Sequence, residues 1–131
     1  MAIRTITLTD RPPVRVDEDT WPVLASASYH DYDGEYASQS FRHWRGFLGV
    51  RQHEDGRTLV YATCSAEGCG SSTTREYRHK AGELLPVGTD TAAIIAAVHR
   101  IHRDIADRDV HEQWAGLADA CIADLPAEEL S

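Results

Sequence analysis

Between residues 41 and 64 apolar and polar positions alternate: Trp44, Leu48 and Val50 share one parity, and Arg45 and Arg51 take the other. Successive side chains of a strand point to opposite faces, so this pattern makes one face apolar. Leu59-Val60-Tyr61 resume the apolar run after His53-Glu54-Asp55-Gly56, where a glycine tolerates the positive φ of a tight turn. A β-hairpin of residues 41–52 and 57–64 follows. Upstream, Ile3, Ile6 and Leu8, spaced by threonines, predict a short strand stopped by Asp10 and Pro12-Pro13, and Val14-Arg15-Val16 a second. Residues 20–28 admit two readings. Thr20 behind three acidic residues and ahead of Trp21-Pro22 suits a short helix with its N-cap, whereas Val23 to Tyr29 serves equally as a strand. Residues 65–74, rich in Ser and Gly, predict a loop, and residues 75–85 a third strand ended near Pro86.

From Asp90 the period lengthens to that of a helix, with Ile94, Val98, Ile101 and Ile105 four, three and four apart. Val110, Trp114, Leu117 and Cys121 form a second stripe, out of phase with the first, so a second helix follows, with Asp109 and Glu112 as its capping box. Pro126 limits that helix and leaves residues 126–131 as an acidic tail. The fold expected is α+β, one domain over residues 1–131, with a small antiparallel sheet built on a central β-hairpin and packed by two C-terminal helices.

Charge refines this picture. The net charge of −8 over 131 residues opposes general affinity for nucleic acid, which needs a basic footprint. The distribution is uneven: residues 1–40 carry three arginines against seven acids, residues 41–103 nine basic against six acidic, and residues 104–131 one arginine against eight acids. Such polarity orients a protein toward a charged partner, although solubility alone would also account for it. No stretch approaches the roughly 20 apolar residues of a membrane helix, and the first residues lack the layout of a signal peptide, so no membrane association and a cytoplasmic location are expected. Cys64, Cys69 and Cys121 are an odd set and read as thiols.

Candidate chemistry is sparse. Cys64 and Cys69 with His79 ten residues later allow a zinc site to be drawn, but a structural zinc ordinarily shows two tight ligand pairs. His99 and His102, near Asp104 and His111, have a helical metal spacing and equally suit a solvated helix face. No phosphate loop, no Gly-x-Ser-x-Gly elbow and no convincing triad is present, so no catalytic residue, metal or cofactor is assigned. The segment Tyr29-His30-Asp31-Tyr32-Asp33-Gly34-Glu35-Tyr36 interleaves tyrosines and acids, which suits a contact loop around an Asp-Gly turn, and its acids lack the spacing of a calcium loop. Partner-binding candidates are therefore Tyr29, Asp31, Tyr32, Asp33 and Tyr36 in that loop, and Asp104, Asp107, Asp109, Glu112, Asp119 and Asp124 on the C-terminal helices. Arg42, Arg45, Arg51, Arg57 and Arg75 offer an alternative, a nucleic-acid contact across the hairpin, that the net charge disfavours. An apolar first strand leaves pairing with a second copy, a homodimer, open.

Residues 6–16, the Trp21-Pro22-Val23 segment and above all Val50-Arg51-Gln52-His53-Glu54-Asp55-Gly56-Arg57-Thr58-Leu59-Val60-Tyr61 resemble a group of small accessory proteins carried on bacterial plasmids and integrative elements. The resemblance spans about the first half of the chain and brings no catalytic residues with it. What it implies is a setting: a small acidic inhibitor that blocks a host defence complex, such as an anti-CRISPR protein acting on a type I CRISPR effector or nuclease subunit.

Overall fold

The computed structural model describes residues 2–35, 40–69, 77–108 and 111–127, without side chains for 32–35, 40–42, 67–69 and 77. The fold is α+β. Strands β1 (Ile3–Ile6) and β2 (Val14–Asp17) form a two-stranded antiparallel sheet, and β3 (Val23–Glu35), β4 (Ser40–Gln52), β5 (Thr58–Cys69) and β6 (Tyr77–Leu85) form a four-stranded antiparallel sheet in sequential order. A helix α1 (Thr91–Ala106), a 3₁₀ turn (Glu112–Gly116) and a short helix α2 (Leu117–Ala123) follow. Of the two readings of residues 20–28 the strand is correct, because Val23 begins a thirteen-residue strand in register with β4 from Val23↔Arg51 to Glu35↔Ser40. That strand also takes in Asp31 to Glu35, so no Asp-Gly turn or contact loop exists there. Residues 65–69 of the expected 65–74 loop are likewise strand, since β5 runs on to Cys69, and the rest of that segment lies outside the described residues.

Alternation sorts the four-stranded sheet into two faces. The inner face carries Ala25 and Tyr29 from β3, Leu48 and Val50 from β4, Val60, Ala62 and Cys64 from β5, and Ala81 and Leu85 from β6, all buried against the helices. The stripe read from the sequence is what α1 presents, with Ile94, Val98, Ile101 and Ile105 buried, while Trp114, Leu117 and Cys121 bring the second helical segment onto the same core. Asp90 caps α1 by accepting the Ala93 N–H at 2.8 Å. The second segment starts otherwise than expected: His111, not an Asp109–Glu112 box, is its N-cap, its Nδ1 accepting the Gln113 N–H at 3.1 Å.

On the outer face Leu59, Tyr61, Phe47 and Leu84 meet Ile6, Leu8, Val14, Val16 and Trp21 of the N-terminal arm. The arm docks directly on backbone: Thr9 N–H donates to the Gly82 carbonyl at 2.8 Å, and a Cβ at Gly82 would run into the Thr7 carbonyl. Arg51 sits beneath it, 7% exposed, donating from Nε to the Tyr61 hydroxyl at 2.9 Å and from Nη1 to the Trp21 carbonyl at 2.8 Å, with Glu18 3.6 Å from Nη2. These bonds satisfy a guanidinium that would otherwise be costly to bury.

Candidate functional site

Polar groups gather where the upper inner face of the sheet meets the 3₁₀ turn. Strand parity puts Tyr29, Asp31, Trp44 and Cys64 on this face, and the turn delivers His111 and Gln113. Asp31 Oδ2 lies 3.0 Å from His111 Nε2 and accepts the Gln113 amide at 3.3 Å. Because His111 Nδ1 already accepts the Gln113 backbone N–H, the ring proton resides on Nε2 and is donated to Asp31. The imidazole packs between Tyr29 and Trp44, at 5.4 and 5.1 Å between ring centroids, and the Tyr29 hydroxyl lies 3.5 Å from Cys64 Sγ. Gly46 makes this packing possible, since a Cβ there would strike the Tyr29 ring. A His beside an Asp and a Cys invites thoughts of nucleophilic catalysis, but both imidazole nitrogens are engaged and Cys64 is fully buried. The cluster latches the helical layer to β3.

The second histidine motif is spent in the same way. His102 Nε2 donates to the Trp114 carbonyl at 2.6 Å, Trp114 Nε1 returns a bond to the His102 carbonyl at 3.1 Å, and the two rings stack within 2° of parallel. A metal shared with exposed His99 would have to break that pair. Cys64 and Cys69 lie five residues apart on one strand, about 16 Å of extended chain, too far to ligate one ion. Among the described residues no three His, Cys, Asp or Glu side chains converge. Cys121 is buried on α2, and desolvation, with the Asp124 charge adding to it, pushes its thiol up to about 11. A cleft of about 460 Å³ lies between Thr20–Leu24 and the turn after β4. Its His53 is folded into that turn, Nδ1 accepting the Asp55 N–H at 3.1 Å and the ring 5.2 Å from Trp21.

The predicted contact residues therefore divide. Tyr29 is core, and Asp31 belongs to the latch. Tyr32 and Asp33 are strand residues whose side chains, like Tyr36 and Asp109 altogether, lie outside the described residues. Asp124 is committed: its Oδ2 accepts the Ser26 N–H at 2.9 Å, covering an outward-facing backbone donor of edge strand β3. Asp104, Asp107, Glu112 and Asp119 are exposed and enter no ion pair with a described residue. Of the arginine set, Arg51 is buried and Arg57 pairs with Asp55 at 2.8 Å over the Trp21 ring; the Arg42 side chain and Arg75 lie outside the described residues, and Arg45 is exposed. Sequence reasoning passed over Gln113, and it named His111 only as a neighbour of the His99 and His102 pair, not as the partner of Asp31. No described helix is long and apolar enough to cross a membrane. In comparison with known proteins, no family model, no curated protein and no solved structure matches the chain.

Proposed function

We propose that this chain is a non-enzymatic binding protein of a mobile genetic element, which sets an acidic helical layer against a cationic surface of another protein complex. One contrast supports the reading. The imidazoles and thiols best placed for chemistry are consumed in structural bonds or sealed in the core, whereas Asp104, Asp107, Glu112 and Asp119 stand exposed on the helical layer without ion-pair partners among the described residues. Carboxylates held on a packed scaffold can occupy Arg and Lys sites that otherwise hold phosphate, and their field steers encounter. The resemblance of the first half to accessory proteins of plasmids and integrative elements supplies the setting, and a type I CRISPR effector, whose basic surfaces hold nucleic acid, is the partner class that fits it.

The test is capture of purified type I effector complex on the immobilised chain in 0.1 and 0.5 M salt. Binding should fall steeply with salt, and Asp107→Arg/Glu112→Arg/Asp119→Arg should weaken it at least tenfold while leaving the thermal transition in place, since all three residues are exposed. Equal affinity for the triple variant at low salt would refute the acidic docking layer.

A further inference from the structure

The two edges of the four-stranded sheet are closed unequally. On β6 the arm takes both backbone groups of Gly82: the carbonyl accepts the Thr9 N–H, and the amide donates to Thr9 Oγ1 at 3.2 Å. Lys80, next on that edge, is exposed, and a lysine opposes pairing with a further strand. On β3 the Asp124 carboxylate takes the Ser26 N–H. Alternation then turns the N–H and C=O of Ser28, His30 and Tyr32 the same way, off the β4 ladder. Ser28 and His30 are exposed, and their backbone groups meet no described partner on that side. No proline, lysine or bulge interrupts β3 from Ala25 to Glu35, so the edge beyond Ser26 keeps none of the usual guards.

The helical segment beside this edge lies along it. Gln113 reaches Asp31 and Asp124 reaches Ser26, and the intervening helix and strand each span roughly 17 Å. Gly116 and Ala120, three after Gln113 and four before Asp124, share that flank, and both are exposed. Gly116 has a φ of −89° and no described atom within 4 Å of where a Cβ would stand, so neither its backbone nor its described neighbours require a glycine. Helix α1 packs on β5 and β6 and α2 on β3 and β4, so the helices repeat every two strands, roughly 10 Å.

We propose that β3 pairs antiparallel with β3 of a second copy about a two-fold axis at His30, joining the two four-stranded sheets into one. Ser28 then faces Tyr32 of the second copy, and each Asp124–Ser26 bond stays in place where the pairing ends. Across the axis the α2 helices again stand two strands apart, the distance at which helices pack, and they meet through Gly116 and Ala120. A lone peptide strand would take the same backbone bonds but leave that flank against water, whereas a second copy covers both. The proposal goes beyond the acidic docking layer and needs none of its carboxylates, so each can fail without the other.

Sedimentation velocity of the purified chain at about 0.2 mM tests it, since association follows mass action. In 0.5 M salt the chain should sediment as a dimer, and 0.1 M salt should weaken association because each copy carries a net charge of −8. Gly116→Arg should weaken dimerisation at least tenfold with an unchanged thermal transition, and Asp107→Arg/Glu112→Arg/Asp119→Arg should not weaken it. Mild oxidation should couple His30→Cys to its symmetry mate, because directly opposed hydrogen-bonded residues stand about 5.5 Å apart between Cα atoms, within disulfide reach. Lys80→Cys, also exposed but on the other edge, should couple no more than the parent chain. A monomer in 0.5 M salt, equal association of the Gly116 variant, or equal coupling at the two introduced cysteines would each overturn the assignment.

Discussion

The inner and outer faces of the four-stranded sheet are closed by different means. The inner face is sealed by helices whose apolar stripes interlock with Leu48, Val50, Val60 and Ala62, and at its margin polar groups pair with one another, His102 with Trp114 and Asp31 with His111. The outer face is half covered by an extended arm, held by a small apolar cluster and by the bonds of one arginine. Burial of area dominates the first closure and directed hydrogen bonds the second, so the two should respond differently to substitution.

The largest effect belongs to the inner face. Trp114→Ala removes a fully buried ring and strands His102, and should cost about 3–5 kcal/mol in a urea melt, lowering the stability of the whole fold. Arg51→Met should cost about 3 kcal/mol by leaving the Tyr61 hydroxyl and Trp21 carbonyl without their donor. In a Tyr61→Phe background the loss should shrink, and hydrogen exchange should show Thr9 released before the helices. Equal deprotection of arm and helices would mean that the two closures are one cooperative unit.

Cys121 gives a pH test of the inner face. Its folded thiol titrates near 11 against an ordinary 9.0, so burial favours the neutral form. Stability from this group is complete below pH 9 and is lost between pH 9 and 11, where the unfolded chain ionises and the folded one does not, at about 1 kcal/mol per pH unit. Cys121→Ala should flatten that part of the stability profile; an unchanged slope would place the alkaline loss elsewhere. The smallest effect, about 1 kcal/mol, is expected for Asp124→Ala at the β3 edge, and Asp124→Asn should restore most of it because an amide oxygen still accepts from Ser26.

Legibility in the sequence followed the same division. The stripes of α1 and α2 were plain because helix packing demands large apolar residues at fixed spacing, and Ile94, Val98, Ile101 and Ile105 meet that demand. Strand β3 was ambiguous because its inward positions Ala25 and Ala27 are small where α2 approaches, and its outward positions are Ser26, Ser28 and His30, so neither propensity nor contrast marks the alternation. Its Asp33-Gly34 pair imitates a turn but lies within the ladder. Arg51 occupies a position of polar parity, and nothing local announces that a segment thirty or more residues upstream will cover it.

The guard on strand β3 bears on how the chain is made. Ser26 waits for Asp124, 98 residues downstream, and Gly82 must appear before the arm at Thr9 can settle. A nascent chain growing at about 5–20 residues per second therefore carries an undocked arm until Gly82 is added and an unguarded strand edge until Asp124 is added. The arm can settle once β6 is out, but the β3 edge waits for α2, and through that interval it stays open to pairing with neighbouring chains.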